Sequence, residues 1–407
     1  MDELEPSTLL AAIERFTRWL EAYGPTSYDH QSYFAGGIGG RAKAFYYRRP
    51  AIGTFAVAPM IFSEAFVPAA RRLFGPKLRF PIADAHYAMG FARLARLTNQ
   101  SRHYDTAVAF LEALIRSRCP GYEHYCWGYP FDWVTQTGVM PAGTPLITTT
   151  PYVYEAFAAV YEIDRQARWL DIMESIAEHV LHDIKDREIS ADAATAGYNP
   201  QDRQGGVVNA SAYRAFLLTD ASIRFNRPDY GQTAERNLNF VLRSQQPSGS
   251  WFYAMDGKRD FVDHFHTCFV LKALAKIEQL VSSEACTRAL DRGLEFYVNG
   301  LFDADGLPKP FARAPRLTVY RRELYDCAEC MNLGALLRGR LPLLDQRVMT
   351  TVNEVLTRWQ RPNGSFRSRR LLLGWDNVPM HRWAQSQTFR SLCYLVPLSA
   401  SSERAVA

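Results

Sequence analysis

The sequence predicts an all-α fold: a closed ring of six helical hairpins in two concentric layers, an (α/α)6 toroid. Three observations predict it. A helix that starts polar and turns small and apolar recurs near Asp84, Thr149, Asn209, His264, Asp326 and His381, at spacings of 65, 60, 55, 62 and 55 residues. A repeat of that length is the mark of a modular architecture. Between these helices lie amphipathic ones near 104–116, 168–184, 232–242, 285–298 and 346–359, and Leu9 to Tyr23 completes six per layer. Finally, the turn QQPSGSW at Gln245–Trp251 returns as QRPNGSF at Gln360–Phe366, each time ahead of a polar-headed helix.

In chain order, Leu9, Ile13, Phe16, Trp19 and Leu20 mark the first helix by their spacing. Residues 24–80 read as an irregular insertion rich in Gly, Tyr and Arg. Within it, GGIGGRAKAFYYRRP lacks the strand–Gly–helix setting and the Lys-Ser/Thr of a phosphate loop, so Arg41, Lys43, Arg48 and Arg49 read mostly as solvated. The repeats then fill the chain as one toroid domain over residues 1–400, with a disordered tail at 401–407. The stretch Gln245–Leu274 holds the whole design: a turn at Pro247-Ser248-Gly249, the aromatic patch Trp251-Phe252-Tyr253, a polar link, then Asp263 as the N-cap of a helix that opens His264, Phe265, His266, Thr267.

Composition narrows the function. Of 407 residues, 47% are apolar and 22% charged, which suits a large buried core. Aromatics reach 13%, many near loop ends, a distribution suited to stacking on sugars or lipids as well as to core packing. The net charge of +5 is mild and spread out, so nucleic acid is not an expected partner. No apolar run reaches the ~18 residues of a membrane span, and the acidic start Met-Asp-Glu-Leu-Glu-Pro is unlike a secretion signal. Seven cysteines, an odd number, read as free thiols in a reducing cytoplasm. Nothing in the sequence sets the oligomeric state.

The two turns QQPSGSW and QRPNGSF resemble the QW-type turn of terpenoid cyclase and protein prenyltransferase toroids, a shape shared with six-hairpin glycosidases and several polysaccharide lyases. WGYPFDW at Trp127–Trp133, TTPYVYEAF at Thr149–Phe157 and the stretch from Gly249 to Leu274 resemble a poorly characterised family of bacterial toroid proteins from exopolysaccharide and capsule gene clusters. The resemblance spans roughly Cys119 to Leu395. It implies a role in polysaccharide biosynthesis and leaves the reaction open, because a fold does not dictate chemistry.

A toroid gathers the polar starts of its inner helices at one mouth, where a functional cavity is expected. Converging there would be Tyr152, Asn209, Tyr213, Asp263, His264, His266, Asp326, Glu329, His381 and Arg382, with Trp127, Asp132, Trp251, Tyr253, Trp375 and Asp376 from the loops. Single caps account for Thr149, Asn209 and Asp263 without function. The further polar residues in the next turns are not explained that way. The expected substrate is an acidic bacterial polysaccharide or a sugar-diphosphate-lipid precursor, held in part by late arginines at 313, 316, 321, 322, 367, 369, 370 and 382. Proton abstraction from a uronate, as in an epimerase or lyase, would use His264 or His381 as base, Arg382 with Asn209 on the carboxylate, and Tyr213 or Tyr253 as acid. Glycoside hydrolysis would pair Asp132 with Asp263 or Asp376.

Each feature also has a structural reading: an aromatic plug for WGYPFDW, and hydrogen-bonded core residues for the histidines. His264 and His266 lie two apart on different helix faces, so they are not expected to share a metal. Cys327-Ala-Glu-Cys330 is a lone CxxC with no second pair, and no metal or cofactor is expected. Two other classes stay open: a non-catalytic glycan-binding subunit of a synthesis complex, and an isoprenoid cyclase or transferase. The second lacks DxDD-like and DDxxD-like runs.

Overall fold

The computed structural model describes residues 5–35, 37–136, 138–315 and 318–398. The tail expected to be disordered and Arg316 lie outside them. Its helices in chain order are α1 (Pro6–Tyr23), α2 (Gly37–Arg48), α3 (Pro50–Phe66), α4 (Pro81–Thr98), α5 (Ser101–Arg116), α6 (Thr150–Asp164) and α7 (Ala167–His182). They continue as α8 (Val208–Phe225), α9 (Pro228–Arg243), α10 (His264–Leu280), α11 (Glu284–Gly300), α12 (Leu324–Leu336), α13 (Pro342–Glu354) and α14 (Ser386–Leu395). Short π-helical turns, Val355–Trp359 and His381–Gln385, follow α13 and precede α14.

The even-numbered helices from α4 to α14 form the inner ring. α4 packs on α6, α8 on α10, α10 on α12, α12 on α14, and α14 returns to α4. They are buried almost all round, as α8 is from Val208 to Leu218. That fits their sequences, which are small and apolar after the first turn. The outer helices bury one stripe only; in α9 it is Tyr230, Ala234, Asn237, Phe240 and Val241. One hydrophobic cluster runs from Leu9 to Val396, and a smaller one around Tyr33, Val57 and Met60 belongs to the insertion. The toroid expected from the repeat is the fold observed.

The repeated turn has a defined task. Gln245 donates from Nε2 to Ala289 O of α11 (2.8 Å) and to Gly249 O (3.0 Å). Gln360 does the same to Ala12 O of α1 (2.8 Å) and Gly364 O (3.3 Å). Each turn therefore clips one outer helix to the next, and the second clip joins the end of the chain to its beginning. Gly249 and Gly364 have φ of +90° and +94°, and a Cβ at either would lie 2.3 or 2.1 Å from a carbonyl oxygen of the neighbouring helix. Only glycine fits there.

Short antiparallel strands border the inner-helix starts. β1 (Trp133–Thr135) pairs with β2 (Gly138–Met140), and β3 (Asp186–Ser190) with β4 (Ala193–Ala196). β5 (Val262–Asp263), which runs into α10, pairs with β6 (Phe311–Arg313). β7 (Tyr320–Glu323), which runs into α12, pairs with β8 (Arg369–Leu371), and that with β9 (Trp375–Asp376).

The insertion departs from expectation. Residues 24–80, read as irregular, carry the hairpin α2–α3 and two 3-10 turns. The usual helical signal was missing because α3 places Ile52, Phe55 and Phe62 outward, where a polar face would normally advertise the helix.

Candidate functional site

One aromatic or imidazole ring from each inner helix reaches the axis. His86 of α4 lies 4.6 Å from Tyr152 of α6, Tyr152 5.5 Å from Tyr213 of α8, and Tyr213 5.3 Å from Phe269 of α10. Phe269 is 6.2 Å from Tyr325 of α12, which stacks at 5.2 Å on Trp383 in the turn before α14. The centre of the ring is thus filled.

Buried charges accompany these rings. Lys272 pairs with Glu329 at 2.5 Å and donates to Tyr152 Oη (3.1 Å), which hydrogen-bonds Tyr213 Oη (2.7 Å). One turn on, Lys276 pairs with Glu155. Burial works to lower Lys272, but Glu329 opposes it and its pKa ends raised. For Lys276 burial prevails over Glu155 and the pKa falls to about 8. Burial, with Arg390 and Lys272 nearby, keeps His86 neutral. Sequence reasoning missed Lys272, Lys276, Glu155 and Arg390. The signal for them is a single charge, or two spaced by four, inside an otherwise apolar helix such as FVLKALAKI.

At the mouth, a small recess opens between α8 and α10, with room for about one water molecule at its base. Its walls include Asn209, Trp251, Tyr253, Asp263 and His266, five residues expected at the mouth. Asp263 is the N-cap of α10: Oδ1 accepts the His266 N–H (3.0 Å), while Oδ2 lies 2.6 Å from His266 Nδ1. With Nδ1–H donated to the carboxylate, the lone pair is on Nε2, which has no hydrogen-bond partner among the described residues, on a side chain one-fifth exposed. Tyr253 packs against the same imidazole at 4.6 Å, and burial pushes its hydroxyl up to about 12. Asn209 is buried with neither side-chain oxygen nor nitrogen bonded to protein. Asp326 is buried close by; burial, then Glu323 and Asp263, raise its pKa far above the carboxylate range, and Oδ1 is unpartnered.

Other expected residues serve the framework instead. His264 turns away from the recess: Nδ1 faces Leu301 O (3.3 Å) and Nε2 faces Tyr297 Oη (2.9 Å), and burial lowers it to about 3. His381 is held between Tyr87 Oη (2.5 Å) and Gly24 O (3.0 Å) and is likewise lowered to about 3 by burial. Neither histidine offers a free nitrogen. Trp127 is core, donating to Leu114 O (2.8 Å), and Trp251 donates to Val241 O (2.9 Å) with one edge left for the recess. Asp132 is exposed and accepts the Ala142 N–H (2.9 Å), pinning its own loop. Arg382 is buried in a two-pronged pair with Asp29 (2.6 and 2.7 Å) and stacks on Trp383, leaving no fork for a substrate carboxylate. Three of the other late arginines are also taken: Arg313 pairs with Asp260, Arg322 with Asp303, and Arg369 with Glu64 and Glu323. Trp375 is half-buried between the guanidinium groups of Arg367 and Arg370.

Asp376 belongs to a second cluster, at the joint between the insertion and the ring. Arg71 reaches Glu64 (2.6 Å) and Asp376 (2.7 Å), and His30 lies 3.4 to 3.8 Å from Glu64, Asp376 and Glu323. Among the described residues, His30, Glu64 and Asp376 have the spacing of metal ligands. The Arg71 and Arg369 guanidinium groups already neutralise those carboxylates, so the chemistry is that of an ion-pair lock. The seven cysteines are all buried and free of disulfides, Cys327 and Cys330 among them.

No protein-family model and no curated protein matches the chain. Solved structures do. A possible member of the GH105 family from Klebsiella pneumoniae aligns with a TM-score of 0.63 at 13% identity, covering 97% of this chain and 94% of its own. The unsaturated glucuronyl hydrolase of Bacillus sp. GL1, responsible for degradation of glycosaminoglycan, gives 0.61 at 12%, over 96% and 97%. Cellobiose 2-epimerase from Bacillus thermoamylovorans gives 0.60 at 11%, over 78% and 87%. At such identities the likeness establishes the fold: an (α/α)6 toroid of the six-hairpin glycosidase and epimerase type.

Proposed function

We propose that this chain is a carbohydrate-active enzyme that abstracts a proton from a sugar of an acidic bacterial polysaccharide, or of its lipid-linked precursor, as an epimerase or lyase does. The observation that carries this reading is the Asp263–His266 pair, whose unbonded Nε2 lies in a recess at the ring's mouth. Asp263 fixes the tautomer, His266 takes the proton, Tyr253, packed against the imidazole, is the acid, and Asn209 binds the sugar through its unpaired amide. Similarity in fold to a glucuronyl hydrolase and a sugar epimerase supports the substrate class. The base is His266, in place of the His264 or His381 that the sequence suggested. The hydrolytic pairing of Asp132 with Asp263 or Asp376 loses support, since Asp132 pins a loop and Asp376 is locked by Arg71.

One observation favours a second reading, a non-catalytic glycan-binding subunit: the axis is filled by side chains and the recess is small. Incubating the protein with polysaccharide of the producing bacterium in heavy water, followed by NMR and mass spectrometry, separates the two. Deuterium on a sugar carbon, or a new double bond, supports abstraction. Binding with unchanged glycan supports the second reading, and a new reducing end without either change points to hydrolysis.

A further inference from the structure

We infer that the hairpin α2–α3 is a membrane-surface anchor that lays the apolar face of α3 into the headgroup region of an anionic bilayer. On α3, Ile52, Phe55, Phe62 and Phe66 follow helical spacing and are 65, 79, 63 and 43% exposed. The opposite face, Gly53, Val57 and Met60, packs against the rest of the insertion. Just beyond α3, Val67 and Leu73 are 54 and 85% exposed. Among the described residues, ten of the 17 exposed large hydrophobic residues fall between Ile38 and Phe74, which is far more than scattered surface residues would give.

The charge around this face selects the occupant. Residues 31–80 contain eight Lys or Arg and a single acid, Glu64, which is spent on Arg71 and Arg369. Arg48 and Arg49 are exposed at the start of α3, Arg72 is exposed past its end, and among the described residues none of the three has an ion-pair partner. An apolar helical face with cations at both ends and no free acid matches an anionic lipid surface, where apolar side chains enter the acyl boundary and arginines meet phosphates. A second copy of this chain would bring the same positive charge against itself. At 17 residues with Pro59 inside, α3 suits lying in the interface, and no helix among the described residues is long and apolar enough to cross a membrane.

The anchor is rigidly joined to the ring. Glu64 on α3 and Arg71 beyond it lock to Asp376 and Arg369, in the sheet bordering the starts of α12 and α14, and Asp29 locks to Arg382. Docking of the hairpin would therefore carry the ring with it. This inference stands on the hairpin alone and holds whatever the recess does.

The test is flotation of the full chain with vesicles of phosphatidylcholine alone and with about 30% phosphatidylglycerol. The wild type is expected to float with the anionic vesicles and far less with the neutral ones. Phe55→Glu with Phe62→Glu should cut binding at least tenfold, because each exposed ring otherwise enters the acyl boundary. Arg48→Glu with Arg49→Glu should cut it by at least about twentyfold, at roughly fivefold per charge. Both double variants should keep the wild-type melting temperature, since the altered side chains are solvent-exposed. Absent or charge-independent vesicle binding, or unchanged binding by the phenylalanine variant, would overturn the inference. So would light scattering that shows a wild-type dimer split by Phe55→Glu and Phe62→Glu, which would make a second copy the occupant.

Discussion

His266 Nδ1 stands 2.6 Å from Asp263 Oδ2, while the other oxygen of that carboxylate caps the same helix through the His266 N–H. One aspartate thus starts α10 and orients the imidazole three residues on. The helix cap and the orientation of the proposed base share one carboxylate, so changing the aspartate disturbs both.

Replacing His266 by Gln should lower turnover by about 10²- to 10⁴-fold, the usual worth of a positioned base, with little change in melting temperature. Asp263→Ala should lower turnover too, and should also cost about 1 kcal/mol of stability through the lost cap. Steady-state kinetics beside urea melts checks both; an active His266→Gln protein removes the base assignment.

His264→Ala should behave in the opposite way. Its ring fills a buried site between Leu301 O and Tyr297 Oη, so a loss of roughly 2–3 kcal/mol is expected, with kcat per folded molecule and its pH profile retained. A lost activity in protein that remains folded would contradict this placement.

Ring closure gives a third prediction. Gln360→Ala removes the bonds to Ala12 O and Gly364 O, and should destabilise the protein by about 1–3 kcal/mol. Hydrogen exchange should quicken first in α1, which the clip holds. Uniform exchange across all helices would mean the clip does not close the ring.

Stability should collapse in acid. His264 and His381 have folded pKa values of about 3 against an ordinary 6.5, so the unfolded chain alone takes up their protons as pH falls. Glu64 and Asp84, raised by burial to about 7, act in the reverse sense: from pH 7 down to about 4.5 it is the folded chain that holds the extra protons. His30 and His86, also lowered by burial, add to the histidine side, so between about pH 6.5 and 4.5 the carboxyls offset only part of the loss. Below that the carboxyl offset ends, and two histidine protons cost about 3 kcal/mol per pH unit. Burial alone would raise Asp376, but Arg71 holds its carboxyl below the usual range, which adds to the loss. Urea midpoints measured between pH 7 and 3 should decline gently from about pH 6.5 and steeply below 4.5.

Much of this architecture was legible in the sequence because the inner helices repeat a polar start and an apolar body; five inner-helix starts lie within three residues of the expected position, and α14 starts five residues late because the π-helical turn His381–Gln385 precedes it. The QxPxGS turn announced itself by repetition, though its partner, the backbone of the next outer helix, could not be read locally. Side-chain direction was the limit in the site. His264 and His266 are equally polar in the sequence, and only the packing of α11 decides that one faces Tyr297 and the other the recess. Arg382 likewise looked free because its partner, Asp29, lies 353 residues away. The insertion was hardest to read, since its outward apolar face reverses the usual pattern.

The central claim is that His266 takes a proton from a sugar carbon. The most direct measurement is mass-spectrometric deuterium uptake into the producing strain's polysaccharide in heavy water, comparing wild type with His266→Gln. The account predicts uptake, or loss of a carbon-bound hydrogen with a new double bond, in the wild type and neither in the variant. Equal exchange by both proteins, or glycan that the wild type binds and leaves unaltered, would contradict it.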